Sequence, residues 1–393
     1  MKQGWEIRKL GDVGTFQRGG GFIKSDFADN GYPCIHYGQI HTKFDIKTDK
    51  HITCISNDLV TSKSKIAQKG DIIIAITSED VQGSCKCTAW MGDYDVVVGA
   101  HAAIYKHTLN PSFVAYYLRS QYFSIEKAKY THGFKVVEIK PSDIAKIDIR
   151  FPSLAEQERI VGILDKEFER IDALRANAER NIQHAKDLFQ SALKQELQPK
   201  EGWTVQHLEK ISTFSQGVQV EIGKQSTEMQ DGYMRFLRIV DFTQGNEPPR
   251  YVGITDEKYQ VKKDSLSVVR YGASAGFICT GLEGVIANNI FRIVPKKDIL
   301  ISNTFLYYVL ISDIFQSVIR DSVNGAAMPA ISFGMIKNID IPYPSIDEQQ
   351  SIVVRLDKLK EHCSALEENY TKTIALCDDM KQALLRKAFN GEL

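Results

Sequence analysis

"FPSLAEQERIVGILDKE" spans residues 151–167 and "YPSIDEQQSIVVRLDKL" spans residues 343–359, so nearly the same phrase occurs twice, 192 residues apart. Each phrase places a serine three residues before a glutamate at the head of an apolar-periodic run, which is the pattern of a capping box. The two pairs are Ser153 with Glu156, and Ser345 with Glu348. Both stretches are therefore predicted to begin helices, although capping alone does not explain why the phrase is repeated.

The same register of 192 residues continues upstream of both phrases. Phe113, Tyr116, Leu118, Phe123, Gly133, Ile139, Ile144, Ile147 and Ile149 match Phe305, Tyr308, Leu310, Phe315, Gly325, Ile331, Ile336, Ile339 and Ile341. Farther upstream, "GWEIRKLGDVGTFQRG" (4–19) matches "GWTVQHLEKISTFSQG" (202–217) at an offset of 198, so insertions and deletions lie in between. The sequence predicts two tandem copies of about 195 residues, each a globular segment followed by a long helix.

Apolar residues in the two helical segments recur at alternating spacings of three and four. The predicted positions are Ile160, Leu164, Glu167, Ile171, Leu174, Ala178, Asn181, Ala185, Leu188 and Ala192 in the first segment, and Ile352, Leu356, Leu359, Cys363, Leu366, Tyr370, Thr373, Cys377, Met380 and Leu384 in the second. Such a seam predicts a coiled coil, most economically between these two helices, with Glu167 and Asn181 as polar interruptions. At about 1.5 Å per residue, each helix is roughly 65 Å long.

The repeated order of globule and helix defines the predicted fold class. We expect an α+β protein with two pseudo-twofold-related globular α/β domains, separated by two long antiparallel helices that form a coiled coil. The predicted boundaries are 1–150 for the first globule, 151–198 for the first helix, 199–342 for the second globule and 343–393 for the second helix. A length of 393 residues agrees with more than one hydrophobic core.

Charge and hydropathy restrict the class of protein. Residues 1–150 carry 20 basic and 16 acidic residues, and residues 199–342 carry 15 of each. This distribution permits nucleic-acid binding by the first segment, and an ordinary solvated surface explains it equally well. No run of 18 apolar residues occurs, and "MKQGWEIRKLGD" (1–12) contains no hydrophobic segment. We therefore expect a cytoplasmic protein that is neither secreted nor membrane-spanning.

Motifs for chemistry are missing from the sequence. The seven cysteines are scattered, and Cys85-Lys86-Cys87 lacks the two-residue gap of a zinc knuckle, so no metal site or disulfide framework is expected. An adenine methyltransferase acting alone would need a glycine-rich cofactor loop and an Asn/Asp-Pro-Pro-aromatic motif. "NEPPRY" (246–251) does not fit that motif and is interpreted as a surface turn, and "RGGGF" (18–22) is a weak nucleotide loop. Catalysis, if this protein takes part in it, must therefore come from partners.

Two variable globules alternating with two near-identical long helices resemble the DNA specificity (S) subunit of type I restriction-modification enzymes. The resemblance rests on P-S-x-x-E-Q in both copies, "GAAMPAISFGMIKNIDIPYPSIDEQQSIV" (325–353), "YGASAGF" (271–277) and "LLRKAFNGEL" (384–393). It covers essentially the whole chain. The first copy departs from the pattern, because it has "GFKVVEIKPSDIAKIDIRFPS" (133–153) at the position of the first motif and no counterpart of Y-G-A-S-A-G.

The resemblance implies a division of labour. The two globules would be target recognition domains that each read half of a split site in double-stranded DNA, and the helices would set the spacing and dock two methyltransferase (modification) subunits. Those partners would bind S-adenosylmethionine and would flip and methylate an adenine in each half, while this chain would hold no cofactor and no catalytic residue. Restriction and translocase subunits would join the same assembly. A rival interpretation is a coiled-coil scaffold of another phage-defence complex, whose globules bind protein rather than DNA.

Candidate residues follow from this scheme. The docking and spacer candidates are Ser153, Glu156, Gln157, Leu164, Ile171, Ser345, Glu348, Gln349, Leu356 and Leu366. The DNA-binding candidates, chosen by residue type and by position in the variable segments, are Arg18, His36, Tyr37, Gln39, Lys63, Lys65, Arg238, Asp241, Arg270, Tyr271 and Ser274.

Each group of DNA-binding candidates has a simpler alternative. His36 and Arg238 occupy matching places at the ends of apolar runs, where arginine can pair with guanine and Gln39 with adenine, or where they are simply polar surface residues at strand ends. "RYGASAGF" (270–277) can form a backbone-amide concavity for a phosphate, or a hairpin turn. The lysines of "TSKSKIAQK" (61–69) suit phosphate contact, or only solubility.

Overall fold

The structure, a computed structural model, describes residues 4–133, 136–253, 256–323 and 330–393, with the backbone alone at 322–323. Residues 325–329 of the motif at 325–353, and residues 134–135 of the stretch at 133–153, lie outside the described residues. The chain divides into two compact units. Unit 1 comprises Met1–Ala178 and Lys372–Leu393, and unit 2 comprises Glu179–Thr371, so each unit takes part of both long helices.

The globular part of unit 1 is built on two five-stranded sheets. Its strands are β1 (Glu6–Lys9), β2 (Gly14–Arg18), β3 (Phe27–Ala28), β4 (Tyr32–Ile35), β5 (Lys47–Thr48), β6 (Thr53–Ile55), β7 (Ile66–Ala67), β8 (Ile72–Ala75), β9 (Thr77–Ser78), β10 (Cys87–Trp90), β11 (Val96–Val98), β12 (Ala102–His107), β13 (Val137–Glu138) and β14 (Asp148–Phe151). Its helices are α1 (Leu10–Val13), α2 (Tyr37–Thr42), α3 (Pro111–Leu118), α4 (Gln121–Ala128) and α5 (Pro141–Ile144). The sheet orders are β2-β12-β8-β10-β5 and β3-β6-β4-β11-β7, with β1 paired to β14 and β13 to β9.

Strand β8 explains where the core of unit 1 lies. Its sequence Ile-Ile-Ile-Ala is buried at every position, as expected for a β-branched strand covered on both faces. Helix α3 packs on one side, and its Phe113 ring lies 5.2 Å from the Phe389 ring at the far end of the chain. The last turn of the second long helix is therefore part of the core of unit 1.

Unit 2 repeats this architecture with shorter sheets. The long helix α6 (Leu154–Glu196) precedes it, and its strands are β15 (Thr204–His207), β16 (Ser212–Gln216), β17 (Tyr233–Leu237), β18 (Arg250–Gly253), β19 (Gln260–Val261), β20 (Leu266–Val269), β21 (Ile278–Cys279), β22 (Gly284–Ile286), β23 (Ile290–Pro295) and β24 (Asp340–Tyr343). Its helices are α7 (Leu208–Ile211), α8 (Ile239–Thr243), α9 (Asn303–Ile311), α10 (Asp313–Val323) and α11 (Phe333–Ile336), followed by the long α12 (Ile346–Asn390). The sheet orders are β16-β23-β20-β21 and β18-β17-β22-β19, with β15 paired to β24.

The predicted α+β class and the duplication are confirmed. Strands β14 and β24 begin and end 192 residues apart, as do helices α5 and α11. In unit 1, β14 pairs antiparallel with β1, and in unit 2, β24 pairs antiparallel with β15. Both β1 and β15 are the first strands of their copies.

The long helices run antiparallel within each unit. In unit 1, Arg175 binds Asp378 at 2.7 Å and Lys381 binds Asp172 at 2.5 Å. In unit 2, Arg355 of α12 binds Glu196 of α6 at 2.7 Å, and Lys186 of α6 lies 4.0 Å from Glu367 of α12. Residue numbers fall along one helix as they rise along the other, as the predicted antiparallel coiled coil requires.

Of the twenty predicted seam positions, nine are buried, seven are half-buried and four are exposed, so the seam is confirmed except at those four. Leu164, Ile171, Ala178 and Ala185 are buried in α6, as are Leu356, Cys363 and Cys377 in α12. The intervening positions Leu174, Leu188, Leu366 and Met380 are 42–53% exposed.

The true seam uses the residue that follows each exposed one. Buried Phe168 replaces Glu167 in α6, and Lys381 replaces Met380 in α12. The Lys381 ammonium lies 5.0 Å from the centroid of the Phe168 ring while it pairs with Asp172. A long lysine side chain thus packs its methylenes along the seam and keeps its charge at the edge, which a pattern of apolar letters does not reveal.

All seven cysteines are buried and carry free thiols. Across the described ranges, no helix combines the length and apolar character needed to cross a bilayer.

Candidate nucleic-acid interface

The two units build the same corner between a strand and a short helix. In unit 1, β4 leads through His36 into α2, and in unit 2, β17 leads through Arg238 into α8. Both strands pair in parallel with a later strand, β11 or β22. The sequence prediction that His36 and Arg238 hold matching positions agrees with this geometry.

Gln39 and Asp241 hold these corners together. The backbone N–H of His36 donates to Gln39 Oε1 at 3.2 Å, and the N–H of Arg238 donates to Asp241 Oδ2 at 2.8 Å. Gln39 is 4% exposed and its Nε2 donates to Thr53, while the Asp241 side chain is 1% exposed. Both side chains cap a helix in the interior, so the prediction that they contact DNA is not retained.

Arg238 is held by neighbouring oxygens. Its Nε donates to Asp241 at 3.0 Å, its Nη1 to Glu247 at 3.0 Å and its Nη2 to the Pro248 carbonyl at 3.0 Å. The hydrogen bond with Asp241, more than the charge of Glu247, raises the pKa of the guanidinium. The predicted turn at 246–251 ends at Pro249, before β18 begins, and its Glu247 and Pro248 anchor Arg238. This side chain must exchange partners before it can pair bidentately with a guanine.

His36 and Tyr37 sit in a different environment, at the wall of an aromatic cavity. The His36 ring stacks on Phe27 with centroids 4.8 Å apart, and Tyr37 lies 5.2 Å from His101. Burial lowers the pKa of His36, so its imidazole is neutral near pH 7. His36 and Tyr37 were candidates from the sequence, whereas Phe27 and His101 were not, because they come from distant parts of the copy and no local pattern joins them.

Basic residues lie around the same region. Arg18 Nε donates to the Ala100 carbonyl at 3.2 Å, and its Nη2 pairs with Glu138 at 3.0 Å. Lys63 is exposed and Lys65 half-buried, and neither ammonium is ion-paired within the described part of the chain. Lys69, by contrast, pairs with Asp93 at 2.5 Å. Lys63 and Lys65 are therefore the available cations of this loop.

The segment 270–277 is a turn between β20 and β21, as the simpler alternative predicted. The amides of Ala275, Gly276 and Phe277 donate to carbonyls within the turn or on β20, the last to Ser274 at 3.0 Å. These three N–H groups are therefore not open to a phosphate. Arg270 covers the Tyr271 ring at 4.7 Å, so a flat cationic and aromatic surface remains exposed.

The glutamines of the repeated phrases are structural. Gln157 Nε2 donates to Pro152 O at 2.8 Å and its Oε1 accepts from Asn110 N at 2.9 Å. Gln349 repeats this with Pro344 O at 2.9 Å and Ser302 N at 3.0 Å. Both glutamines are buried and tie the start of a long helix to the N-cap of α3 or α9.

Most of the docking candidates also have internal roles. Glu156 binds Arg159 at 2.7 Å, and Glu348 accepts from Trp203 Nε1 at 3.2 Å. The Ser345 hydroxyl lies 3.5 Å from the Glu348 amide, at the limit of a capping bond, and Ser153 is exposed at the equivalent position. Gln157, Gln349, Leu164, Ile171 and Leu356 are buried and cannot serve as a docking surface, whereas Leu366 is exposed.

Comparisons with known proteins agree with the duplicated fold. The family model described as type I restriction modification DNA specificity domain matches residues 2–183 and again residues 200–376. The type I restriction enzyme StySPI specificity subunit of Salmonella potsdam is 25% identical over 426 residues, which cover 100% of this chain and 90% of that protein. The EcoKI specificity subunit of Escherichia coli (strain K12) is 25% identical over 423 residues, with the same coverage.

Solved structures show the same fold. A chain of a type I R-M system, solved to describe complex assembly and conformational transition, has a TM-score of 0.78 at 19% identity over 100% of this chain and 99% of that one. The HsdS subunit from Thermoanaerobacter tengcongensis has a TM-score of 0.56 at 19% identity, covering 100% and 98%. With the family model matching both copies, the chain belongs to the family of type I restriction-modification DNA specificity subunits.

Proposed function

We propose that this chain is the non-catalytic subunit that recognises a bipartite DNA target for a type I restriction-modification complex. Each copy would read one half of the target, and the long helices would position two adenine-N6 methyltransferase subunits. The methyltransferases would supply S-adenosylmethionine and all methylation chemistry, and restriction and translocase subunits would join the complex in the cytoplasm.

The observation that carries the proposal is a constant scaffold with different residues at one equivalent corner. The glutamine tether is the same in both copies, as is the capping bond at the corner. The residue at the corner is His36 in one copy and Arg238 in the other. Two readers with different chemistry favour an asymmetric target, because each base contact discriminates by about 1–3 kcal/mol.

Affinity for DNA would come largely from phosphate contacts. Lys63 and Lys65 are cations without ion-pair partners among the described residues, and Arg270 is stacked on an exposed tyrosine. Each lysine or arginine that neutralises a phosphate steepens the fall of affinity with salt by about one unit of slope. Steep salt dependence of duplex binding would support DNA recognition over the rival protein scaffold.

Partner docking would use exposed apolar residues of the long helices. Leu174, Leu188, Leu366 and Met380 project from α6 and α12 although their sequence spacing resembles a seam. Contiguous exposed apolar surface marks protein–protein interaction sites, and these residues would contribute to such a surface on the helices.

The test is co-expression of the chain with its methyltransferase partner, followed by mapping of N6-methyladenine across the host genome. We expect a split motif with a fixed unread spacer, methylated on both strands. A stable complex that adds no methylation would instead favour the scaffold.

Helix length provides a second test of the same proposal. Leu193 and Leu197 are buried in the core of unit 2, so an insertion near Gln198 would disturb that core rather than lengthen the helix pair. One heptad inserted in both helices, after Ala178 and after Thr371, preserves the seam and adds about 10 Å. We expect an unread spacer longer by up to about three base pairs at 3.4 Å each, with both half-sites unchanged. Altered half-sites would contradict the spacer role.

A further inference from the structure

Unit 1 contains a cavity of about 710 Å³ beside the corner at His36. Its lining includes Phe22, Lys24, Phe27, His36, Tyr37 and His101. This volume falls in the range of roughly 300–1,000 Å³ that is usual for small-molecule sites. A protein can also read DNA through the methyl group of a thymine, but a methyl group is only about as large as a water molecule, roughly 30 Å³. A thymine methyl alone would therefore leave most of this cavity empty.

Aromatic rings form the walls. Phe27 stacks on His36 at 4.8 Å and meets the edge of Phe22 at 5.9 Å, while Tyr37 and His101 lie 5.2 Å apart. Such walls suit a planar ring, since bases stack on aromatic side chains whatever their sequence.

Glycines allow these rings to approach the backbone. A Cβ atom on Gly99 would stand 3.1 Å from Phe22 Cζ, and one on Gly38 would stand 3.1 Å from His36 Cε1. A side chain at either position would require the Phe22 or His36 ring to shift by a few tenths of an ångström. The enclosure thus depends on residues from three separate segments.

Polar and cationic groups border the aromatic walls. Lys24 is exposed at the rim, and Arg18 contacts the carbonyl of Ala100, which lines the cavity. The neutral His36 ring offers one donor and one acceptor to the edge of a base. An aromatic recess with the cation of Lys24 at its rim matches the chemistry of a nucleotide in a DNA strand.

We propose that this aromatic cavity receives one nucleobase of the DNA, displaced from the helical stack. The inference rests on the proposed function. Displacing a base costs its stacking and pairing energy, and stacking on aromatic side chains returns part of that cost. The nucleobase would be read by unit 1 itself, separately from the adenine that a methyltransferase acts on.

Unit 2 does not build the same enclosure. Aligning the two copies by their strand pairs gives the residues of unit 2 that are equivalent to the cavity side chains. In the order Phe22, Phe27, His36, Tyr37 and His101, these are Val220, Gln225, Arg238, Ile239 and Asn289. These residues contain no aromatic ring, and Arg238 is engaged with Asp241 and Glu247. Base displacement is therefore expected in one half-site only.

The experiment is a mismatch scan of the methylated motif with the wild-type complex. Each base pair in turn is mispaired by changing one strand, and the affinity for the duplex is measured. A mispair weakens binding at a position where the protein contacts both bases within the intact duplex. It tightens binding at a position where a base must be displaced, because a mispaired base costs less to displace. We expect one position, in one half-site, at which mispairing increases affinity about tenfold, which is about 1.4 kcal/mol of the displacement cost.

Variants connect that position to the cavity. Tyr37→Ala should weaken binding of the matched duplex and abolish the mispair gain, while Tyr37→Phe, which keeps the ring, should retain both. Tyr94→Ala is the matched control, because Tyr94 is as exposed as Tyr37, lies in the same unit and does not line the cavity. It should leave the mispair gain unchanged.

Three results would overturn the inference. One is a scan in which no mispair tightens binding, and another is a mispair gain that persists in Tyr37→Ala. The third is tight binding of free deoxynucleoside monophosphates that Tyr37→Ala abolishes without any change in duplex binding, which would assign the cavity to a soluble nucleotide. Absence of any split methylation motif would overturn the proposed function itself, and this inference with it.

Discussion

The end of each copy near the long helix and the end that carries the corner have diverged to very different extents. At the helix end, β14 and β24, α5 and α11, and the glutamine tethers keep one register of 192 residues. At the corner end the offset between equivalent elements varies, and unit 1 has an aromatic cavity where unit 2 has an arginine network at the equivalent position. The fold is thus maintained by one set of residues while another set is free to change what is bound.

The largest expected effect tests the seam that both copies share. Leu356→Ala should destabilise unit 2 by about 2–5 kcal/mol, because Leu356 is buried between helix and globule. Leu366→Ala should cost less than about 0.5 kcal/mol, because Leu366 is exposed. The stability of unit 2 in both variants is measured by proteolysis at increasing urea concentration, with peptides from unit 2 as the readout. Equal losses for the two variants would refute the corrected seam.

The glutamine tethers should matter equally in the two copies. Gln157→Ala and Gln349→Ala each leave buried backbone groups without partners, at a cost of about 1–3 kcal/mol to the unit concerned. Hydrogen exchange at the first turns of α3 and α9 reports each loss separately. A loss confined to one copy would show that the shared scaffold has diverged further than the geometry suggests.

His107 should give unit 1 a pH dependence that unit 2 lacks. Burial, opposed by the charge of Asp71, lowers the pKa of His107 to about 4, and the equivalent position in unit 2 is Pro295. The unfolded chain binds this proton with a pKa of about 6.5, so stability is full above that value, falls as pH drops towards 4 and falls no further below. At pH 5 the loss should be about 2 kcal/mol.

The control is His107→Asn, which removes the titrating group. The Leu109 amide now donates to His107 Nδ1 at 3.2 Å, and the asparagine side-chain oxygen can accept that hydrogen bond instead. The stability of unit 1 is compared in the two proteins at pH 7 and pH 5 by proteolysis at increasing urea concentration, with peptides from unit 1 as the readout. An identical pH dependence in both would exclude His107 as its source.

The smallest effect concerns a backbone position that the copies fill differently. Cys85 has a φ of 60°, and the equivalent residue of unit 2 is Gly276, with a φ of 94°. Cys85→Gly relieves left-handed strain but loses a buried thiol, so its net effect should stay within about 1 kcal/mol. Gly276→Ala should cost about 1–2 kcal/mol from strain alone, and its Cβ would also stand 2.8 Å from Ile319 Cγ2. Thermal unfolding of both variants checks the difference, and a costly Cys85→Gly would show that the thiol packing outweighs the strain.

The repeat, the long helices and their antiparallel pairing could be predicted because they depend on periodic apolar residues and on a register visible in the letters. The alternate seam positions could not, because Lys381 packs through its methylenes while Leu366 faces solvent. Gln39 and Asp241 have side chains typical of base contacts, yet the local need to cap a helix uses them internally. The cavity could not be predicted from the sequence because Phe22, Phe27 and His101 are brought together only by the fold.

The discontinuity of unit 1 has a consequence for how the protein is made. Phe389 packs against Phe113, and Arg159 donates to the Leu393 carbonyl at 2.6 Å, so residues 372–393 complete a core that begins at the other end of the chain. Unit 2 is a continuous segment, so all of its residues leave the ribosome before residues 372–393 do. Unit 1, although most of it emerges first, must wait with an open apolar face until the final helix turns arrive.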